Sequence, residues 1–259
     1  MPRQDGPEQS AQPDAKTLPG ADEASPLAVR ATELQGVRVG PFEIKGAIGS
    51  GGFGDVFLGE QQEPVHRLAA IKMLSRDRGG ARFRALFEAE RRVLAQIDHP
   101  NVARMLDAGC TPDGREWVAM EYAPGPSITA YCDMNRLSIA ERVHLFSKVL
   151  RAVDFAHEKG VVHRDLKPSN ILVSVDGGTA VPKIIDFGIA RVLGGSAQAT
   201  EPNRVIGTPG YMAPEQTVGG GADADARADV YSLGAVLFEL CTGTLPMEEP
   251  GVGAITSPE

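Results

Sequence analysis

The chain has 259 residues, 42% of them hydrophobic, and a formal net charge of -8. That length accommodates one large domain, or two lobes around a cleft, with a core of ordinary size. The acidic balance argues against general nucleic-acid binding and against attraction to an anionic membrane surface.

No apolar run is long enough to cross a bilayer; the longest candidate, Val230 to Cys241, is short and contains Glu239. The amino terminus lacks the apolar core of a signal peptide. Cys110, Cys132 and Cys241 are far apart and form no Cys-x-x-Cys pair. They read as buried or incidental thiols of a reducing cytosol, so the expected location is cytoplasmic.

Residues 1–40 are rich in Pro, Gln, Ala, Asp and Ser and nearly lack large apolar side chains. Such a segment cannot bury enough surface to offset its ordering entropy, and a disordered tail is expected. Order is expected to begin near Phe42, where Phe42-Glu43-Ile44 alternates like a strand. A glycine pattern follows over Ile48-Gly49-Ser50-Gly51-Gly52-Phe53-Gly54-Asp55-Val56. Glycines let a backbone approach phosphate oxygens closely. A plain hairpin or a dinucleotide fold would also contain the pattern, but a dinucleotide site would open a helix, and here a strand follows at Val56 to Gly59. That favours a β-hairpin lid over nucleotide phosphates.

Leu68 to Leu74 reads as a strand in which Leu68, Ala70, Lys72 and Leu74 share a face. Lys72 is either an edge lysine reaching back to water or a phosphate-binding cation. Phe83, Phe87, Glu90, Leu94 and Ile97 then fall on one helical stripe. A carboxylate on an apolar stripe needs a cation, which pairs Glu90 with Lys72; Glu88 lies off the face. Glu116 to Gly125 is a strand that runs into a Pro/Gly turn.

Ser138-Ile139-Ala140-Glu141 is a capping box that opens a helix with apolar positions Ile139, Val143, Phe146, Leu150 and Val153. His99, His144 and His157 read as structural or surface residues. The helix delivers the chain to His163-Arg164-Asp165-Leu166-Lys167-Pro168-Ser169-Asn170, a polar octet between two apolar runs. The spacing of Asp165, Lys167 and Asn170 suits an acid that takes a proton, a cation that holds a phosphate and an amide oxygen that holds a metal. Next, two apolar runs flank Asp176-Gly177-Gly178 and predict a β-hairpin. A hairpin brings its open ends together, so Asn170 and Asp186 become neighbours and candidate ligands of one metal ion. The competing reading is a pair of polar strand ends in solvent.

These stretches resemble, in order, the motifs of eukaryotic-type serine/threonine protein kinases, with a bacterial flavour in Gly207-Thr208-Pro209-Gly210-Tyr211-Met212-Ala213-Pro214-Glu215-Gln216. The resemblance covers about residues 42 to 245 and implies an α+β, bilobal fold. Its small β-rich lobe and hinge would occupy 41–123, its mainly helical lobe 124–246 and a flexible tail 247–259. It implies ATP and Mg²⁺, with Mn²⁺ as an alternative, and Ser/Thr-bearing protein substrates.

By the same resemblance, Ile48, Gly49, Ser50, Gly51, Gly52, Phe53, Gly54, Val56, Ala70, Lys72, Met120, Glu121, Ala123 and Leu172 would contact the nucleotide. Met120 would be the gatekeeper, and the backbones of Glu121 and Ala123 would bind adenine. Asp165, Lys167, Lys72 and Glu90 would be catalytic, and Asn170 and Asp186 would hold the metal. Arg164 would pair with a phosphate on the segment after Asp186, with Ser196 and Thr200 as acceptors, and Thr208 would contact Asp165 and Lys167. Asp229 would anchor the catalytic loop, cap a helix, or both.

The family continues with further helices beyond the Val230 to Leu240 helix, one of which pairs an arginine with Glu215. The large lobe is therefore expected to be incomplete: a fragment, a degraded gene, or a domain that another chain completes by covering it. Two rival functions follow: an inert nucleotide-binding or interaction module, and a small-molecule kinase of related fold. Lys167 and Ala213-Pro214-Glu215 argue against the second rival.

Overall fold

The computed structural model describes residues 34–51, 54–74, 96–187, 209–217 and 225–246. Order starts ahead of Phe42, where the sequence reading placed it. Leu34 packs on the core, and β1 (Arg38–Val39) pairs with β2 (Phe42–Gly51) through Val39 opposite Phe42. Burial of Val39 outweighs the polar composition of the residues before it. The rest of both expected tails lies outside the described residues, as do Gly52, Phe53, Glu90, Ser196, Thr200 and Thr208.

β2, β3 (Gly54–Gln61), β4 (Arg67–Leu74), β5 (Met105–Cys110) and β6 (Glu116–Glu121) complete an antiparallel sheet in the order β1-β2-β3-β4-β6-β5. Period-two alternation sorts the side chains of β4. Ala69, Ile71 and Met73 join Phe42, Phe57 and Trp117 in the core of the small lobe. On the other face, Val56 lies opposite Lys72 and Ala70 opposite Met120. The sheet thus carries Lys72 in the row that the sequence pattern assigned to it, with Leu68 exposed at the strand's start and Leu74 buried.

The second lobe begins with two helices. α1 (Ile128–Met134) is short and capped by Ser127. α2 (Ile139–Glu158) starts at the predicted capping box: the Ser138 hydroxyl accepts from Glu141 N, and the Glu141 carboxylate accepts from Ser138 N at 2.8 Å. The predicted apolar stripe of α2 is half corrected. Phe146 and Val153 are buried, but Ile139, Val143 and Leu150 are exposed. The buried face runs through Leu145, Val149, Ala152 and Ala156. Two small alanines allow close approach there, and a count of large apolar residues passes over them.

β7 (Ile171–Asp176) and β8 (Thr179–Ile184) form the predicted hairpin. Its turn residues Gly177 and Gly178 have φ of 53° and 80°, the two positive angles that a type I′ turn demands. The hairpin is tied to the first lobe. Ala103 N donates to Ile184 O at 2.8 Å, Asn101 Nδ2 to Pro182 O at 2.7 Å, and Lys183 pairs with Glu121 at 2.8 Å. A short helix α3 (Pro214–Thr217) precedes α4 (Ala226–Thr242), which packs on α2 through Leu233, Val236 and Leu240. Asp225, not Asp229, caps α4, its carboxylate accepting from Arg227 N at 2.8 Å.

Candidate active site

The described residues of the glycine-rich stretch, the expected lid, lie on two paired antiparallel strands. Gly49 lies opposite Val56, Ser50 opposite Asp55 and Gly51 opposite Gly54, so the chain reverses between β2 and β3 and opens no helix. The dinucleotide-fold alternative is thereby removed. Ile48 is exposed at the lid, beside a register shift between Ala47 and Gly49.

Below the lid, Lys72 is buried at 6% exposure and its Nζ donates to Asp186 Oδ2 at 2.8 Å. A buried ammonium needs an anion, because removing a charge from water costs several kcal/mol unless it is paired. The edge-lysine reading of Lys72 therefore fails. The expected Glu90 partner lies outside the described residues, and Lys72 has a further interaction beyond Asp186.

The octet forms a turn followed by a 3-10 turn at Pro168–Asn170. Lys167 Nζ sits 3.2 Å from Asp165 Oδ1 and 3.0 Å from Oδ2. Asn170 Nδ2 donates to Asp165 O at 2.7 Å and lies 3.2 Å from its Oδ2. That commits the nitrogen of the Asn170 amide and leaves its Oδ1 as the metal-capable atom. Ile185 N donates to Asn170 O at 2.9 Å, which sets Asp186 beside Asn170, as the hairpin geometry requires. An amide oxygen and a carboxylate carried on neighbouring backbone are hard-oxygen donors. Mg²⁺ takes one or two carboxylates and completes its shell with water and phosphate, so the residues fit that ion.

Asp229 holds the turn from behind. Its Oδ2 accepts from His163 N at 2.8 Å and its Oδ1 from Arg164 N at 2.7 Å. His157 Nε2 lies 2.7 Å from Oδ2. Burial pushes the Asp229 carboxyl up, but the His157 hydrogen bond, the His163 ring and the two backbone N–H donors outweigh it and hold the pKa below the ordinary aspartate value. His163 is fully buried; its Nε2 lies 3.0 Å from Ile185 O, and its ring meets Phe187 edge-on at 4.8 Å. Arg164 and Asp186 both adopt positive φ, 67° and 61°, the backbone strain that collects at functional sites.

Met120 is buried at the end of β6, and Ala123 follows in the connecting segment. Glu121 N donates to Arg104 O at 2.8 Å, so a Glu121 backbone contact to a base falls to its carbonyl. Leu172 is half-buried and bridges to Ser127, next to that segment. Sequence reasoning read His157 as a structural or surface residue, gave His163 no role of its own within the octet, and missed the pair of Lys183 with Glu121. The position of His157 in the last turn of α2 carried no signal of its contact with Asp229 across 72 positions.

A small curled sheet, a helical lobe and a lysine–aspartate pair at their junction define a protein kinase domain. The solved kinase domain of Mycobacterium tuberculosis PknI has the same fold, with a TM-score of 0.62, 29% identity, and coverage of 87% of this chain and 82% of that one. The chain belongs to the protein kinase family, whose sequence profile, Protein kinase domain, matches residues 42–255.

Named relatives are bacterial serine/threonine-protein kinases. Pkn1 of Myxococcus xanthus is 36% identical over 231 residues, 89% of this chain and 33% of Pkn1. PknJ of Mycobacterium tuberculosis is 39% identical over 218 residues, 82% of this chain and 36% of PknJ. PrkC of Bacillus subtilis is 37% identical over 218 residues, 83% of this chain and 32% of PrkC. The chain spans 32–36% of the length of these relatives.

Proposed function

We propose that this chain transfers the γ-phosphate of ATP to Ser or Thr hydroxyls of proteins, itself among them. One observation carries the reading. Bonds of 2.7–2.9 Å run without a break from Asp165 through Asn170 to Ile185, and from its neighbour Asp186 to Lys72, across both lobes. Phosphoryl transfer is mostly positioning and electrostatics, and such a network supplies both.

In this reading Asp165 orients the substrate hydroxyl and accepts its proton. Lys167, already beside the Asp165 carboxylate, neutralises charge on the transferring phosphoryl group. Lys72 orients the α- and β-phosphates. Asn170 Oδ1 and the Asp186 carboxylate would hold Mg²⁺, with Mn²⁺ a second ion that suits the same oxygens. When bound, such an ion would supply positive charge to the phosphates. Val56, Ala70, Met120 and Leu172 provide the apolar walls for adenine, and the glycines of the lid cover the phosphates. We place the small lobe and hinge at 41–123 and the large lobe at 124–246. Among the described residues, no helix is long and apolar enough to cross a membrane.

The test is transfer of labelled γ-phosphate from Mg-ATP to the chain itself and to a generic basic protein, with Asp165→Asn as control. Label on Ser or Thr that disappears in the control is the expected result. A folded chain that binds Mg-ATP yet transfers no label overturns the proposal in favour of a non-catalytic nucleotide-binding module.

A further inference from the structure

The backbone of Arg164 is held from two sides. Its N–H donates to Asp229 Oδ1 at 2.7 Å, and its carbonyl accepts from Gln216 Nε2 at 2.7 Å. That carbonyl belongs to the same peptide as Asp165 N–H, so whatever fixes it also fixes the base of the Asp165 side chain. Arg164 has φ of 67°, a conformation that L-residues other than Asn and Asp seldom adopt without external restraint. The N–H of the next residue donates to His163 Nδ1 at 3.2 Å, a longer contact than either of these. Gln216 is itself immobilised: its Oε1 accepts from Ala213 N at 3.0 Å, and its own N–H donates to Ala213 O at 2.9 Å. Both ends of its amide are therefore used, and the side chain spans from α3 to the catalytic loop.

The segment that carries Gln216 is seated on α4. Ser232 Oγ donates to Tyr211 O at 2.7 Å, the Tyr211 hydroxyl donates to Glu239, and Ala213 is buried against Ala228. We propose that Gln216 is a positioning residue for phosphoryl transfer: its amide clamps the Arg164–Asp165 peptide, so Asp165 is presented correctly only while residues 210–216 are seated. This rests on the kinase reading of Asp165. It adds a route by which displacement of the segment before α4 reaches the catalytic aspartate without touching nucleotide.

The test uses Gln216→Met, which keeps length and loses both amide contacts, and Gln216→Glu, which sets an acceptor against the Arg164 carbonyl. Both are compared with the parent chain for kcat, KM for ATP, Mg-ATP binding and amide hydrogen exchange. The expected result is a kcat lower by about 10-fold to 10²-fold, with ATP affinity within about twofold. Exchange should quicken in the peptide spanning 163–166. Unchanged kcat in a parent that is active, or unchanged exchange in that peptide, overturns the proposal. If the parent itself transfers no phosphate, the kinase reading fails separately, and the exchange measurement alone decides whether the clamp exists.

Discussion

Lys72 and Asp186 lie 114 positions apart in the chain and meet at 2.8 Å, one on the small sheet and the other just past the β7–β8 hairpin. With side chains only 7% and 24% exposed, the pair joins the two lobes where few waters can substitute for either charge. Replacing either partner removes a group that the proposed function assigns to phosphate or metal. We expect Lys72→Met and Asp186→Asn each to lower the initial rate of γ-phosphate transfer by about 10²-fold or more at saturating ATP. Rates measured beside a binding isotherm for Mg-ATP check this; a variant within a few-fold of the parent rate contradicts it.

Asp229 predicts a pH dependence of stability. Its folded pKa lies below its ordinary value, so its contribution is present above the unfolded pKa and is lost as pH falls through the folded one. Asp229→Asn keeps one acceptor but loses the charge that serves two N–H donors and His157. It should cost about 3 kcal/mol at neutral pH. In urea titrations the gap between parent and variant should hold from neutral pH down to about pH 5 and narrow only below it. A gap that widens on acidification refutes this assignment.

The lid depends on Gly54. Its φ is 137°, and a Cβ there would lie 2.0 Å from Met73 O, a backbone atom that cannot turn aside. Gly54→Ala should destabilise by about 1–3 kcal/mol through strain and weaken Mg-ATP binding together with it. At Gly46 on the same strand pair, a Cβ meets nothing within 4 Å. Gly46→Ala should stay within about 0.5 kcal/mol of the parent. Thermal melts with and without Mg-ATP separate the two.

Ser138 caps α2 at the end of the helix remote from the Asp165 turn. Its hydroxyl accepts from Glu141 N, an orphan donor of the first turn. Ser138→Ala should cost about 1 kcal/mol of stability and leave kcat unchanged. A fall in kcat at full folding would mean that the cap steers the catalytic loop.

Much of the site was legible because the relevant residues are local in sequence or joined by a turn with specific chemistry. Asp165, Lys167 and Asn170 fall within six residues, and the two glycines after Asp176 announce the reversal that returns the chain to Asp186. The lid was legible for the same reason, as glycines followed by a strand. The orientation of α2 was less so: the buried face follows Ala152 and Ala156, whose small size matters only once a neighbour packs against them.

The sequence by itself determined the element types, the hairpin reversals, the Ser138 cap and the inventory of chemically able residues, because these follow from dihedral preferences and short-range hydrogen bonds. The tertiary structure decided which charges meet. That Lys72 finds Asp186, that Asp229 is spent on His163 and Arg164 while Asp225 caps the helix, and that Gln216 reaches the Arg164 carbonyl depends on how the sheet, the β7–β8 hairpin and α4 pack. The physical reason is desolvation. A polar group's partner is imposed only when packing takes water away, and which groups are stripped of water is a property of the assembled lobes.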